Sequence, residues 1–281
     1  MGVSRLRFRI LSFAGWIVLA ALSLLLTPAH AQVTIAQLSD THLGEPRAPH
    51  AAEHLKEAVE MINQRHPDAV ILTGDIGETP QEWQHAKAIL KGLKAPLHYV
   101  PGNHDVHTHD VNRYRAVFGK DYYTFQIKYV TFVVIDSQLL GNYEHYEAKT
   151  PPPLPPDTQA ESNKMLAWLQ DLASHRPPGI IIGVQHIAPF RDHGFPDPKP
   201  YWVVDEPYRW REVDLLKRLG IQHVLVGHWH YGRVFKQAGI TWHVAPATSW
   251  LAWGGELGFA MHQISPDGSV RTEFIPLTGT P

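Results

Sequence analysis

The stretch VTIAQLSDTH, residues 33–42, decides the fold. Its first six residues are an apolar run of strand length, and Asp40-Thr41-His42 follows at once. Four later stretches repeat this order. AVILTGD (69–75) ends in Gly74-Asp75, and LHYVPGNHD (97–105) ends in Gly102-Asn103-His104-Asp105. IIIGVQH (180–186) ends in His186, and VLVGHWH (224–230) ends in Gly227-His228-Trp229-His230. Helical patterns separate the first three. His50 to Arg65 carries Leu55, Val59 and Ile62 on one face, and Gln81 to Lys94 carries Trp83, Ala86, Ile89 and Leu93. This βαβαβ rhythm predicts an α/β fold with a largely parallel sheet and helices packed on it. Ligands of open α/β sheets bind beyond the carboxyl ends of the strands, so all five polar clusters fall on one rim.

Working outward, Tyr122–Ile127 and Val130–Ile135 read as a hairpin, and the proline tract 151–156 as an extended spacer. The capping-box pattern Thr158-x-x-Glu161 opens a helix whose buried face is Met165, Leu169 and Leu172. A long irregular stretch, Ile187 to Pro207, precedes a helix from about Tyr208 to Leu219. Tyr231 to Pro276 reads as several strands.

The 281 residues contain no cysteine, which excludes disulfides, a cysteine nucleophile and thiolate metal sites. There is no Walker-type G-x-x-x-x-G-K-[ST] and no G-x-S-x-G, which argues against an NTPase and a serine esterase. At the start, Arg5, Arg7 and Arg9 precede an apolar run from Ile10 to Leu26, and Ala29-His30-Ala31 fits a cleavage site. Residues 1–31 therefore read as a secretory signal peptide, and residues 32–281 as one domain that is periplasmic or secreted. An uncleaved leader would instead act as a membrane anchor. Loss of the leader removes three arginines and no acidic residue, taking the formal charge from −2 to −5. No long basic run remains, so nucleic acid is not expected as the main partner.

The polar clusters have the chemistry of a metal site. Asp40 and His42, at i and i+2, can reach one ion from a strand end. Asp75 has two oxygens and can bridge two ions. Asn103 offers a neutral carbonyl oxygen, and His186, His228 and His230 offer imidazole nitrogens. Such a mixed nitrogen and oxygen set suits Mn, Fe, Zn or Co better than Ca or Mg. The glycines at 74, 102 and 227 each precede one of these residues, where a tight turn or close backbone approach is expected.

In this order the clusters D-x-H, G-D, G-N-H-D, a lone His and G-H-x-H make the sequence resemble the calcineurin-like metallophosphoesterase superfamily, over residues 40 to 230. The resemblance implies a four-layer α/β/β/α sandwich with a dinuclear metal site at the strand ends. It implies Asp40, His42 and His230 on one divalent transition-metal ion, Asn103, His186 and His228 on a second, and Asp75 bridging both. The residue three places after Asp75 is Glu78, not Tyr, so a tyrosinate-bound ferric ion is not expected.

The expected activity is hydrolysis of a small phosphoester by a metal-bridging hydroxide. His104 stabilises or protonates the leaving oxygen and Asp105 orients His104. Assistance to a poor alkoxide leaving group gives phosphodiesters the edge over monoesters and phosphoproteins. A catalytically silent metal-binding protein is the alternative from outside the enzymes. Tyr201, Trp202 and Tyr208 are candidates for an aromatic wall of the cleft, and Trp229 for packing beneath the site. His50, His54, His66, His85, His175 and His243 read as structural or solvated, and His107 and His109 as loop residues.

Overall fold

Strand β1 (Val33–Leu38) is apolar on both faces because it lies between two cores: Val33 and Ile35 point one way, Ala36 and Leu38 the other. These coordinates are a computed structural model that describes residues 32–106 and 110–278; the expected leader, His107 and His109 lie outside the described residues. After β1 come α1 (Ala51–Arg65), β2 (Ala69–Thr73), α2 (Pro80–Leu90), β3 (Leu97–Val100) and α3 (Val111–Phe118). β1, β2 and β3 pair in parallel, with Ile35 opposite Ala69 and Val70 opposite Leu97. The parallel arrangement expected from the βαβαβ rhythm is present here.

The chain then builds a second sheet from β4 (Tyr123–Ile127), β5 (Val130–Val134), β6 (Ile180–Val184), β7 (His223–Val226), β8 (Arg233–Gln237) and β9 (Ile240–Val244). Helices α4 (Pro156–Ser174) and α5 (Tyr208–Arg218) lie between these strands in sequence. Finally β10 (Gly258–Ile264) and β11 (Val270–Pro276) return to the first sheet, β10 antiparallel beside β1 and β11 antiparallel beside β10. The orders are β11-β10-β1-β2-β3 and β4-β5-β6-β7-β9-β8.

Three apolar cores stack these elements into an α/β/β/α sandwich. Leu55, Val59, Ile62, Trp83 and Ala86 of α1 and α2 cover the first sheet. Met165, Leu169, Leu215 and Leu216 of α4 and α5 cover the second. Between the sheets, Val33, Ile35 and Ile71 meet Phe132, Val134, Ile182 and Leu225. Both faces of each sheet are covered, so the inner strands read as continuous apolar runs.

Two element ends differ from expectation. α2 stops at Leu90, not Lys94, because the Lys91-Gly92 turn closes it with hydrogen bonds from Lys91 N to Lys87 O and from Gly92 N to Ile89 O. α4 starts at Pro156, with proline at the first turn, where the missing N–H costs nothing. Thr158 is therefore a buried first-turn residue, not a cap, and Glu161 pairs with Arg115 at 2.9 Å and Lys164 at 2.6 Å. No helix among the described residues is long and apolar enough to cross a membrane.

Candidate metal centre

The carboxyl ends of β1, β2, β3, β6 and β7 converge, as the strand-then-polar order requires. One ligand atom from each of Asp40, His42, Asp75 and His230 lies within 4.8 Å of the others. Asp75, His186 and His228 form a second such group. Asp75 belongs to both. Each group takes residues from both sheets: Asp40, His42 and Asp75 follow strands of the first, and His186, His228 and His230 follow strands of the second. Asn103 lines the same cavity, its Nδ2 donating to the Tyr201 hydroxyl at 2.8 Å.

The hydrogen bonds fix which nitrogen of each imidazole is free. His42 Nδ1 faces Glu78 Oε1 at 2.9 Å, His230 Nδ1 donates to Trp250 O at 3.0 Å, and His186 Nδ1 donates to Thr73 O at 2.6 Å. In these three rings Nε2 is the nitrogen left to face the centre. His228 is reversed: its Nε2 donates to Tyr201 O at 3.0 Å, leaving Nδ1. Second partners of this kind orient metal-binding histidines.

The free atoms face one another. His42 Nε2 lies 3.2 Å from His230 Nε2 and 3.4 Å from Asp75 Oδ2. His186 Nε2 lies 3.2 Å from Asp75 Oδ2, and His230 Nε2 3.3 Å from Asp40 Oδ1. Asp40 Oδ1, Asn103 Oδ1 and His186 Nε2 are buried without a hydrogen-bond partner. Converging lone pairs at such distances repel unless cations sit among them, and buried acceptors go unpaired only at a cost. The donor set fits two transition-metal ions.

The electrostatics agree for Asp40, Asp75 and His228. Burial alone would raise the Asp40 carboxyl, but the His230 imidazole outweighs it and brings the group to about 2. Asp75 is held well below the usual carboxylate range, with His186 and His104 overcoming the same burial effect. Burial, then the His186 charge, holds His228 down at about 3. Both carboxylates are thus charged and His228 neutral at neutral pH, the forms a metal needs; burial opposes charge on His186, but Asp75 outweighs it and raises that group to about 9, so an ion taken at its Nε2 must displace a proton.

Backbone strain marks the same residues. Asp40, His42, Asp75, His228 and His230 are five of the eight non-glycine residues with positive φ among the described residues. This conformation is costly for side chains with a Cβ and persists where the surrounding fold over-determines it. The neighbouring glycines serve close approach. A Cβ on Gly102 would lie 2.2 Å from Asp75 Oδ1, and one on Gly227 would lie 2.0 Å from Ser39 Oγ.

His104 lies beside this set. Its backbone N–H donates to Asp75 Oδ1 at 2.9 Å, and its ring Nδ1 faces Glu78 Oε2 at 2.9 Å. The expected orienting contact from Asp105 is made by Glu78. Asp105 instead accepts backbone N–H groups of Ile76 and Gly102, each at 2.9 Å, and so ties the turn after β3 to the turn after β2. Glu78 was visible in the sequence only as the residue that is not tyrosine. Its position three residues after Asp75, ahead of α2, is the local signal that places it under the site.

A cavity of about 580 Å³ opens over the cluster. Arg47, Tyr146, Tyr201, Trp202, Trp250 and Trp253 line it with Asp75, Asn103, His104, His228 and His230. Tyr201 and Trp202 thus form the expected aromatic wall, whereas Tyr208 lines a different cavity beside the proline tract. Trp229 is fully buried and donates to Trp202 O at 3.0 Å. Arg47 stacks on Trp250 at 4.0 Å and pairs with Glu45 at 2.9 Å.

The family model for calcineurin-like phosphoesterases matches residues 33–232, which include every candidate ligand from Asp40 to His230. The chain belongs to the calcineurin-like phosphoesterase family. With this donor set the phosphoesterase is a metal-dependent hydrolase of phosphoesters. It is 28% identical to the mouse (Mus musculus) serine/threonine-protein phosphatase CPPED1 over 225 residues, which are 74% of this chain and 66%, about two thirds, of that protein. It is 27% identical to a cAMP/cGMP dual specificity phosphodiesterase of Mycobacterium tuberculosis, over 80% of this chain and 71% of the relative. A dimetal phosphatase structure from Danio rerio superimposes with a TM-score of 0.59 at 15% identity, covering 88% of this chain and 99% of that one. At that identity the likeness speaks for the fold alone.

Proposed function

We propose that this phosphoesterase is an exported hydrolase of small organic phosphodiesters. The cavity over the metal centre carries the reading. Its walls are aromatic, and its one arginine is already paired with Glu45. Beyond the two ions, His104 and the Glu45-paired Arg47, the cavity adds no cationic side chain for the extra charge of a monoester dianion. A diester carries one negative charge and a second organic group, which gains by burial against Tyr146, Tyr201, Trp202 and Trp253. The relatives include both a phosphodiesterase and a protein phosphatase at nearly equal identity, so the cavity is the discriminating observation.

Asp40, His42 and His230 would hold one ion, Asn103, His186 and His228 the other, with Asp75 between them. When bound, the two ions supply Lewis-acid activation of a water and neutralise charge on the phosphoryl oxygens. The protein supplies the proton. Burial opposes charge on His104, but Asp75 and the Glu78 hydrogen bond outweigh it and raise the group to about 9. Beside Asp75 and with its Nδ1 on Glu78, His104 is placed to give a proton to the departing alkoxide. Glu78 keeps the ring aimed.

The test is kcat/KM on bis-p-nitrophenyl phosphate, p-nitrophenyl phosphate and a phosphoserine peptide, with manganese added. The diester should lead by about tenfold, which is ~1.4 kcal/mol of transition-state binding. Preference for either monoester would sink the diester reading, and no turnover of any substrate would favour a silent metal-binding protein. Export rests on the leader pattern of residues 1–31. N-terminal sequencing of protein recovered outside the cytoplasm should begin at Gln32, and a product that starts near Met1 would mean a retained anchor.

A further inference from the structure

Between the two sheets, five side chains form a hydrogen-bonded chain, on the side of the layer next to the metal centre; at its other margin Tyr123 and Tyr129 donate singly to Tyr99 O and Ile264 O. Gln37 Nε2 donates to Val226 O and to Thr73 Oγ1, each at 2.9 Å. His262 Nε2 meets Gln37 Oε1 at 2.9 Å, and His262 Nδ1 meets Thr272 Oγ1 at 2.9 Å. His243 Nδ1 meets the same hydroxyl at 2.7 Å, and His243 Nε2 meets His223 Nδ1 at 2.9 Å. Gln37, His262 and His243 are buried, and His223 is partly exposed.

The inventory of donors allows one arrangement of protons. Val226 O can only accept, so it fixes the Gln37 amide with nitrogen toward it and leaves Oε1 as an acceptor. His262 must donate from Nε2, which makes its Nδ1 an acceptor for the Thr272 hydroxyl. Thr272 oxygen then accepts from His243 Nδ1, and His243 Nε2 accepts from His223 Nδ1. His262 and His243 are neutral, each with one donor and one acceptor in use, and His223 donates from Nδ1. Burial favours that state, holding His262 at about 3 and His243 at about 2.

The chain crosses from sheet to sheet twice. Gln37 on β1 grips Val226 on β7, and Thr272 on β11 grips His243 on β9. Gln37 and Val226 stand just below Asp40 and His228 in their strands. Thr73, the other acceptor of Gln37, also accepts from His186 through its carbonyl. Apolar contacts between sheets tolerate sliding, since they lack direction, whereas hydrogen bonds to strand backbone do not. Each ligand group draws on both sheets, so a slide of one sheet on the other would break the sharing of Asp75.

We propose that the chain Gln37–His262–Thr272–His243–His223 is a positioning device that fixes the register between the sheets and thereby brings the two half-sites together around Asp75. The inference rests on the dinuclear reading of the centre. The test is manganese titration of the purified protein by calorimetry, with electron paramagnetic resonance to detect spin coupling between two ions. Thr272→Val keeps the shape of the node and removes its hydroxyl, Thr272→Ser keeps the hydroxyl, and Gln37→Met removes the grip on Val226. Thr272→Val and Gln37→Met should bind the second equivalent about tenfold or more weakly and lose the coupled signal, while circular dichroism stays that of the folded protein. Thr272→Ser should bind both equivalents as the parent does. If Thr272→Val and Gln37→Met melt earlier yet keep both equivalents and the coupled signal, the chain is merely structural and the inference falls. If the Ser variant loses the second ion as fully as the Val variant, the hydroxyl is not the node and the inference falls. Fewer than two equivalents in the parent protein would overturn the dinuclear reading itself, and this inference with it.

Discussion

Glu78 divides its two oxygens between two imidazoles, His42 on the metal side and His104 on the leaving-group side. A carboxylate accepts from both rings at once, but a glutamine has one accepting oxygen. Glu78→Gln should therefore lower kcat about 10–100-fold, the usual cost of losing such an outer partner. The pH profile should move as well. An acid that must be protonated works below its pKa and fails as pH rises through it. His104 is raised to about 9 in the protein without ions, and bound cations pull it lower. Removing Glu78 withdraws one raising cause, so the alkaline limb of kcat should shift to lower pH in Glu78→Gln. An unshifted limb in a folded, metal-loaded variant would assign that limb to another group. Asp75→Ala should remove a ligand from both groups and leave poor occupancy of both ions by elemental analysis. Tight binding of two equivalents by that variant would refute the shared role.

At the scale of elements, the strand ends are where sequence reading and structure meet. The turn after β7 brings Gly227 against Ser39 and Asp40 of the neighbouring turn. In Gly227→Ala the new Cβ has nowhere to go, being 2.0 Å from Ser39 Oγ, 2.9 Å from Thr73 O and 3.0 Å from Asp40 Oδ2. The strand should survive, since its apolar residues are untouched, but the two turns must separate. We expect a folded protein by circular dichroism with reduced metal stoichiometry and activity reduced at least tenfold, roughly the effect of a misplaced site. Full activity would show that these turns can part without harm. The same reasoning explains the end of α2, where Gly92 closes a turn that helical periodicity alone extends to Lys94.

For the whole molecule, metal and fold are linked. Two buried carboxylates and four imidazoles converge on one point, so ions that bind the folded state stabilise it by mass action. Chelation should abolish activity and lower the melting temperature, and Mn, Fe, Co or Zn should restore both. At an ion concentration of about 100 times Kd, each site contributes about 2.7 kcal/mol. A chelated, metal-free protein that melts unchanged and still turns over substrate would refute the dinuclear centre.

The order of apolar run and polar cluster, read alone, determined the parallel strands, the rim and the residues gathered there. It could do so because strand length, side-chain alternation and donor chemistry are local properties of residues such as those from Val33 to His42. It did not determine that β10 returns beside β1, because pairing across more than two hundred residues leaves no mark in either strand's own pattern. Nor did it separate Glu78 from Asp105 as the partner of His104. Asp105 is adjacent in sequence, but its oxygens point back to the backbone of two turns, while Glu78 is brought under both rings by the turn that leads into α2. His243, read as structural or solvated, owes its place in the chain to His223 on the neighbouring strand β7 and to Thr272 on β11, which only the stacking of one sheet on the other brings within hydrogen-bond reach.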